Sequence, residues 1–232
     1  MKTYGQFCPV AKAAELFCER WTPLIVRDLA AGASRFSEIQ KGVPLMSPSL
    51  LSKRLKQMEA EGIVERRRVG KTWTYHLTDP GREFVPMVQA LAVWGQRWSR
   101  RELAEHEADI GLMVWAMERG ADPSAFGPAR TVIRMEITDQ PDHKRFWWFV
   151  NENATCELCV HDPGHEVDIY LSATLHDMIY IIRGDLTLPA ARDTGRLEVH
   201  GPPKLLRKLP KWFNLGPVTK VPSLRKAAAT AP

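Results

Sequence analysis

The sequence predicts an α+β protein with two domains, and three observations support this fold class. Through residue 101, apolar residues recur mostly at helical spacing, interrupted by one pair of alternating β-rich runs. Beyond residue 101, five runs rich in β-branched and aromatic residues alternate with turn residues, which predicts a five-stranded sheet with helices packed on it. The charge changes at the same point: residues 1–100 hold 16 basic and 9 acidic side chains, and residues 101–232 hold 16 and 18. A basic first domain favours a polyanionic partner.

The composition indicates a globular protein. Hydrophobic residues make up 44% of the chain and charged residues 25%, which are ordinary proportions. There is no run of about 18 apolar residues and no signal-peptide pattern, so we expect a cytoplasmic protein with no membrane partner. Four cysteines are too few for a disulfide scaffold and are expected to be free thiols.

Residues 47–59 predict a short helix with one apolar face and one polar, basic face. Leu51, Leu55 and Met58 recur at i, i+4 and i+7, so they share the face that packs on a core. Ser47 suits the N-cap and Pro48 the first helical position. The opposite face carries short donors and cations that suit base edges and phosphates, namely Ser49, Ser52, Lys53 and Lys56.

A short helix before this segment and a hairpin after it predict a helix-turn-helix with a wing. Residues 35–39 begin the preceding helix, and residues 42–44 break it. Two alternating runs, 63–69 and 71–77, meet at Gly70 and form the hairpin. Arg67, Arg68 and Lys71 lie near its tip and can reach backbone phosphates. The arginine run 66–68 favours phosphate contact, and a merely solvated charge run is the alternative. We expect major-groove contacts from Ser47, Ser49, Ser52 and Lys53, and backbone contacts from Lys56 and Arg35.

Six motifs follow one another in order: residues 8–10 (CPV), 20–25 (RWTPLI), 35–39 (RFSEI), 47–55 (SPSLLSKRL), 59–64 (EAEGIV) and 75–78 (YHLT). With them, residues 8 to about 100 resemble the HxlR family of winged helix-turn-helix transcriptional regulators. The resemblance implies a homodimer, joined through its first and last helices, that binds a pseudo-palindromic double-stranded DNA operator. We expect a transcriptional repressor. Residues 18–20 (CER) depart from the family, which commonly has Gly-Gly-Lys there, so this loop is expected to be tighter or more helical.

The last helix of this domain is predicted for residues 79–101 and is apolar over a wide arc. Phe84, Val88, Leu91 and Trp98 form one stripe, which two further apolar residues, Met87 and Trp94, widen. A winged-helix core can cover one side of such a helix. We expect the same helix of a second subunit to cover the other side.

Cys8 is a candidate redox residue. Some HxlR-type regulators sense oxidants or electrophiles through the cysteine that matches Cys8, and Cys8 stands just before a predicted helix, whose N-terminus can stabilise a thiolate. The alternative is a half-buried structural cysteine at the dimer interface. Both interpretations stay open at this point.

The second half carries a further resemblance. Residues 184–188 (GDLTL), residues 195–201 (GRLEVHG) and a following leucine-rich helix resemble the end of a sterol carrier protein type 2 domain. That family folds as a five-stranded sheet covered by helices around an apolar tunnel for lipids or other hydrophobic molecules. The resemblance implies an α/β sandwich-like domain that binds a hydrophobic small-molecule effector. We therefore expect a DNA-binding and dimerisation domain at 1–101, a sterol-carrier-like ligand-binding or regulatory domain at 102–216, and a flexible tail at 217–232.

Aromatic residues on the predicted strands are the candidate lining of a ligand pocket. Four strand-like runs, at 131–137, 145–150, 155–160 and 167–172, are expected to form a meander. Alternation sends Trp147 and Phe149 to one face of their strand, and with Tyr170 they are the candidate pocket residues. Ordinary core packing is the alternative.

The sequence predicts no metal, cofactor or catalytic site. Cys156 and Cys159 are three residues apart on a strand, so they face opposite sides and cannot chelate one ion together. His161 and His165 flank a Pro-Gly turn and fit a solvated loop. No nucleophile–base arrangement is present, so we expect the protein not to be an enzyme. The rival interpretation is a carrier of hydrophobic ligands, or an enzyme-like protein, that uses the winged helix mainly for dimerisation.

Overall fold

The computed structural model describes residues 3–213 and 216–224, and the chain divides into two compact units, 1–94 and 95–232. The N-terminal unit is mainly helical with a two-stranded hairpin, and the C-terminal unit contains a five-stranded sheet. No helix of the described part of the chain is long and apolar enough to cross a membrane. The cytoplasmic location stays a prediction.

The N-terminal unit has the predicted winged helix-turn-helix order of elements. Its helices are α1 (Pro9–Phe17), α2 (Thr22–Ala30), α3 (Phe36–Gly42), α4 (Pro48–Ala60) and α5 (Asp79–Trp94), and its hairpin strands are β1 (Val64–Val69) and β2 (Thr72–Leu77). The core is formed by apolar residues of α2, α3 and α4 and of the hairpin base. Leu51, Leu55 and Met58 of α4 are buried in it, as their helical spacing predicts.

The long helix predicted for residues 79–101 changes character before its end. Its α-helical part, α5, stops at Trp94, and residues Gly95–Ser99 continue as one π-helical turn. A π turn holds one more residue than an α turn and is rare. Apolar periodicity does not distinguish the two forms.

The five-stranded sheet of the C-terminal unit comprises β3 (Thr131–Ile137), β4 (Phe146–Glu152), β5 (Thr155–Cys159), β6 (Ile169–Ala173) and β7 (Glu198–His200). Their spatial order is β5-β4-β3-β6-β7. The first three strands form the expected antiparallel meander, but the prediction that the fourth strand continues it is wrong. β6 instead crosses over and pairs parallel with β3, so that Ile133 lies opposite Ile169. The nine residues between β5 and β6 provide this return.

Helices cover one face of this sheet. The helices of this unit are α6 (Ile110–Gly120), α7 (Asp142–Arg145), α8 (Leu175–Arg183), α9 (Leu188–Asp193), α10 (Pro203–Leu206) and α11 (Leu209–Trp212). Of these, α7 has no buried residue and only links β3 to β4. The core contains Phe149 and Trp212, whose rings meet edge to face at 5.4 Å. The buried indole N–H of Trp212 donates to Asn151 Oδ1 at 2.7 Å, so the polar group brought into the core is satisfied.

Two helical segments of this unit are interrupted. Residues 105–120 form a 3₁₀ turn (Glu105–Glu107) and then α6, because Asp109 caps α6 by accepting from Leu112 N at 2.6 Å. Residues 202–213 form α10 and α11 separately, since Pro210 cannot donate a helical hydrogen bond.

The predicted flexible tail, 217–232, is described only through residue 224. There, Pro217–Lys220 forms a 3₁₀ turn, and Leu224 N donates to Arg97 O at 2.8 Å. The rest of that prediction, from 225 to 232, lies outside the described residues.

Candidate nucleic-acid interface

The polar edge of α4 faces solvent at the predicted positions. Ser47 is the N-cap, and its hydroxyl oxygen accepts from Leu50 N at 3.3 Å. Its hydroxyl also lies 3.2 Å from that of Ser49, which places two short donors at the helix start. Ser47, Ser49, Lys53 and Lys56 are exposed, and Ser52 is half-buried. A helix with an anchored apolar edge and exposed donors on the other can lie in a major groove.

The start of α3 is fixed to the hairpin by backbone pairing. Tyr75 N donates to Ser34 O at 2.7 Å, and Arg35 forms an antiparallel bridge with Thr74. Glu38 accepts from the backbone N–H groups of Ser34 and Arg35, at 2.8 and 3.0 Å, and so caps α3. The Arg35 side chain is exposed. The pairing therefore holds this cation at a fixed place beside the wing.

The wing divides its arginines between its two faces. Arg68 lies opposite Trp73, and Arg66 lies opposite Tyr75, so these four residues share one face. Arg67 lies on the other face, where it forms an exposed ion pair with Glu65. Arg68 Nε donates to Gly70 O at 3.3 Å, which folds this side chain toward the turn that carries Lys71.

Sequence reasoning placed Arg66 and Trp73 in the wing but did not bring the two side chains together. The Arg66 guanidinium lies 4.2 Å from the centre of the exposed Trp73 ring, a cation–π arrangement. The signal that could have identified them is the alternation within β1, which places Arg66 and Arg68 on the same face.

Arg54 has a structural position that its charge alone did not indicate. Its side chain is only 8% exposed and forms a 2.7 Å ion pair with Glu19, in the segment between α1 and α2. It also donates to Gln57 Oε1 at 3.0 Å. Arg54 therefore fastens α4 to the start of the unit and is not part of the exposed basic edge.

A second exposed surface of the N-terminal unit is apolar. Phe17 of α1 stacks on Phe84 of α5 with ring centres 5.4 Å apart, so these two helices lie side by side. Large apolar side chains on or next to them remain exposed: Phe7, Val10, Met87, Leu91 and Trp94. We call these five residues the apolar α1/α5 surface. Cys8 lies next to it in the chain, is half-buried, and occupies the N-cap of α1 without a side-chain capping bond.

The candidate ligand residues of the sheet are not brought together. Phe149 is 0% exposed and packs in the core, and Trp147 lies on the same face with its Nε1 donating to Lys144 O at 2.7 Å. Trp148, the residue between Trp147 and Phe149, lies on the opposite face of the sheet and pairs with Arg134 of β3. Tyr170 of β6 pairs with the same Arg134, so it lies on that opposite face too, where it is 43% exposed. The three residues cannot line one pocket, because register places Tyr170 across the sheet from Phe149.

A groove lined by both leucines and charged residues does occur elsewhere in the C-terminal unit. It lies between α9 and the two short terminal helices and has a volume of about 400 Å³. Four leucines line it: Leu188, Leu197, Leu206 and Leu209. Its volume is within the range of small-molecule sites, about 300–1,000 Å³.

The two cysteines of β5 are protonated thiols at neutral pH. Cys156 faces the core, and its burial, with the nearby Glu118 and Cys159, raises its pKa from an ordinary 9.0 to about 12. Burial also raises the pKa of Cys159, helped by Glu157 and Glu118. Among the described residues, no three His, Cys, Asp or Glu side chains are grouped to hold a metal.

We expect iodoacetamide at pH 8 to modify Cys156 far more slowly than the exposed Cys18, because a pKa near 12 lowers the thiolate fraction of Cys156 by roughly three orders of magnitude relative to an ordinary thiol. Peptide mass spectrometry over a labelling time course measures both rates. The raised pKa also links folding to pH. The contribution of the neutral Cys156 thiol to the free energy of unfolding is complete below pH 9 and is lost as the pH rises toward 12, because in that range only the unfolded chain ionises this thiol. Equal labelling of the two cysteines at pH 8 would contradict the burial of Cys156.

The comparisons with known proteins agree with this geometry. Residues 16–103 match the model of the HxlR-like helix-turn-helix family. The uncharacterized HTH-type transcriptional regulator YvaP of Bacillus subtilis is 38% identical over 98 residues, which are 40% of this chain and 91% of YvaP. The chain belongs to the HxlR-like helix-turn-helix family. This HxlR-type protein is therefore a DNA-binding transcriptional regulator.

Further relatives match the same part of this HxlR-type chain. The HTH-type transcriptional regulator YodB of B. subtilis is 34% identical over 95 residues, 39% of this chain and 85% of YodB. The crystal structure of diamide-treated YodB covers 39% of this chain and 93% of its own at 33% identity, with a TM-score of 0.34. In the C-terminal half, residues 116–214 match the model of the SCP-2 sterol transfer family. Both resemblances inferred from the sequence motifs are thus confirmed.

Proposed function

We propose that this regulator is a homodimeric repressor that reads its operator with α4 and responds to a hydrophobic small molecule bound by its C-terminal unit. The observation that supports DNA reading by α4 is that this helix has one buried apolar edge and one exposed polar, basic edge. Leu51, Leu55 and Met58 are buried, whereas Lys53 and Lys56 are exposed on the other side. A module that served only for dimerisation would not need exposed donors and cations in line with a basic wing.

The proposed contacts divide into base-reading and phosphate-binding groups. The N-terminal part of α4 enters the major groove and presents its short donors and one cation to base edges: Ser47, Ser49, Ser52 and Lys53. Lys56 and Arg35 bind the backbone beside the groove, and the wing cations Arg67, Arg68 and Lys71 bind flanking phosphates. A phosphate has to compete with Glu65 for Arg67, because these two side chains form an ion pair. Arg66, which lies against Trp73, adds a second cation on the face of the wing that carries Arg68.

The apolar α1/α5 surface supports a homodimer. Five large apolar side chains stay exposed on or next to two helices that lie side by side, and clustered apolar surface of this kind marks association surfaces. Pairing with the same surface of a second copy would cover both by two-fold symmetry and would place two copies of α4 on one DNA molecule. Their separation would have to match one helical turn of DNA, about 34 Å.

The leucine-lined groove is the proposed site for the hydrophobic effector. It replaces the pocket expected at Trp147, Phe149 and Tyr170, which the sheet register separates. Four leucine side chains exclude water from a bound apolar ligand, while Arg192 and Asp193 at the groove can orient its polar end. Repression is the expected mode of action, and the reporter assay described below tests it.

The DNA-binding proposal is tested by selecting sequences from a random duplex pool with the full-length protein. We expect enrichment of an inverted repeat whose half-sites lie about ten base pairs apart. Fluorescence anisotropy should then show at least about 10³-fold tighter binding to this operator than to random DNA at equal salt. Failure to enrich any sequence would contradict operator reading, and a reporter under the selected operator would distinguish repression from activation.

Replacing Arg68 with alanine should weaken binding to operator and random DNA alike, because a phosphate contact carries no sequence information. The slope of log Kd against log salt should decrease by about one unit. Anisotropy in a salt series measures both quantities. Arg207→Ala, which removes an exposed arginine of the C-terminal unit, serves as the control and should leave the slope unchanged. An unaltered slope in Arg68→Ala would remove the wing from the interface.

A further inference from the structure

The C-terminal unit contains a second, polar cavity that the proposed function does not use. It has a volume of about 460 Å³ and lies beside the π turn Gly95–Ser99. Three arginines reach it, Arg100, Arg101 and Arg183, together with the carboxylate of Glu107. All of its lining residues belong to the C-terminal unit.

Two of these arginines are held in place by the protein. Arg183 Nε lies 3.0 Å from Asp185 Oδ2, and Arg183 Nη2 donates to Arg101 O at 2.7 Å. Arg100 forms an ion pair with the same Asp185, and its side chain is only 9% exposed. Guanidinium groups fixed in this way bind a ligand without a further loss of side-chain entropy.

The positive charge around the cavity exceeds the negative charge. Asp185 is shared by two guanidinium groups, so one positive charge remains after this pairing. The side chain of Arg101 is exposed and makes no ion pair with any described residue. Glu107 is engaged as a helix cap, accepting from Ala104 N at 3.0 Å. In addition, the buried Nε of Arg100 has no hydrogen-bond partner within the described part of the chain.

The π turn contributes to this arrangement. Within it, the Gln96 side-chain amide donates to Arg183 O at 2.6 Å, and Ser99 lies at the cavity wall. A side chain at Gly95 would meet open space, so the wall is open at that point. π turns in helices occur frequently at functional sites.

We infer that this cavity binds a small molecule that carries two or more oxyanion groups, either phosphates or carboxylates. Planar guanidinium groups donate two parallel hydrogen bonds to each such group, and hydrogen bonds in which both partners are charged are stronger than neutral ones. The volume accommodates a metabolite-sized ligand, since small-molecule sites span about 300–1,000 Å³. The site is distinct from the leucine-lined groove and does not depend on operator binding.

Isothermal titration of the full-length, DNA-free protein tests this inference. The probes are pyrophosphate and citrate, each compared with sodium chloride at equal ionic strength, and they distinguish phosphate from carboxylate ligands. We expect saturable binding of at least one probe and, at ten times its Kd, a rise in Tm of about 3–6 °C. Arg101→Ala should raise the Kd at least about tenfold, because it removes a charged donor and breaks no ion pair.

Two control variants separate this cavity from other basic surfaces. Arg207→Ala removes an exposed arginine elsewhere in the same unit, and Arg68→Ala removes one from the wing. Both should bind the probe as the unaltered protein does. Binding that is lost equally in Arg68→Ala would assign the anion to the DNA-binding surface and overturn the inference. No binding beyond the chloride control, or equal binding by Arg101→Ala, would overturn it as well.

Discussion

Replacing Gly81 with alanine is expected to lower the free energy of unfolding of the N-terminal unit by about 3 kcal/mol. A Cβ at this position would lie 2.0 Å from Ile63 O and 3.3 Å from Leu77 Cδ2. Ile63 O already accepts from Thr78 N at 3.1 Å, at the base of the wing. The new methyl group must therefore displace a backbone carbonyl or the start of α5, and both positions are fixed by hydrogen bonds.

Hydrogen–deuterium exchange of the full-length protein in a urea series measures this effect, because peptides from the N-terminal unit report separately from the C-terminal unit. Glu83→Ala changes an exposed residue two positions further along α5 and should alter stability by no more than about 0.5 kcal/mol. Equal protection in Gly81→Ala and Glu83→Ala would contradict the close approach of α5 to Ile63.

Replacing Leu91 with glutamate is expected to convert the proposed dimer into a monomer. Leu91 belongs to the apolar α1/α5 surface and is 49% exposed, and a charge there would have to be buried without a partner on association. Because a dimer binds two half-sites at once, the loss of one subunit should weaken operator binding by about 10²-fold or more. Light scattering measures the mass, and anisotropy measures the affinity.

The control for this variant is Gln89→Glu, which adds the same charge at an exposed polar position of α5. This variant should remain dimeric. Its affinity for the operator should fall only slightly, because the added negative charge repels DNA. A Leu91→Glu protein that stays dimeric would move the subunit interface away from the α1/α5 surface. A monomer that still binds the operator at full affinity would contradict the need for two half-sites.

The sequence was informative where a local pattern decides the structure. The spacing of Leu51, Leu55 and Met58 predicted the buried edge of α4, and Ser47 predicted its cap. The hairpin at Gly70 followed from alternation and a turn residue, and the structure gives Gly70 a φ of +61°, which suits glycine. These features depend on contacts among residues a few positions apart.

The sequence was less informative where distant residues decide. Arg54 lies within the apolar stripe of α4, but its partner Glu19 stands 35 residues earlier, so its burial could not be predicted from the helix alone. Alternation showed which residues of a strand share a face, as for Trp147 and Phe149. It could not show that β6 pairs parallel with β3, and this register places Tyr170 on the other face.

The most direct measurement of the central proposal compares Lys53→Ala with the unaltered protein on the selected operator and on random DNA. If Lys53 reads a base from α4, operator binding should weaken by about 1–3 kcal/mol while binding to random DNA changes much less. Lys12→Ala removes an exposed lysine of α1 and should affect neither. Equal losses on both DNAs would contradict base reading by α4.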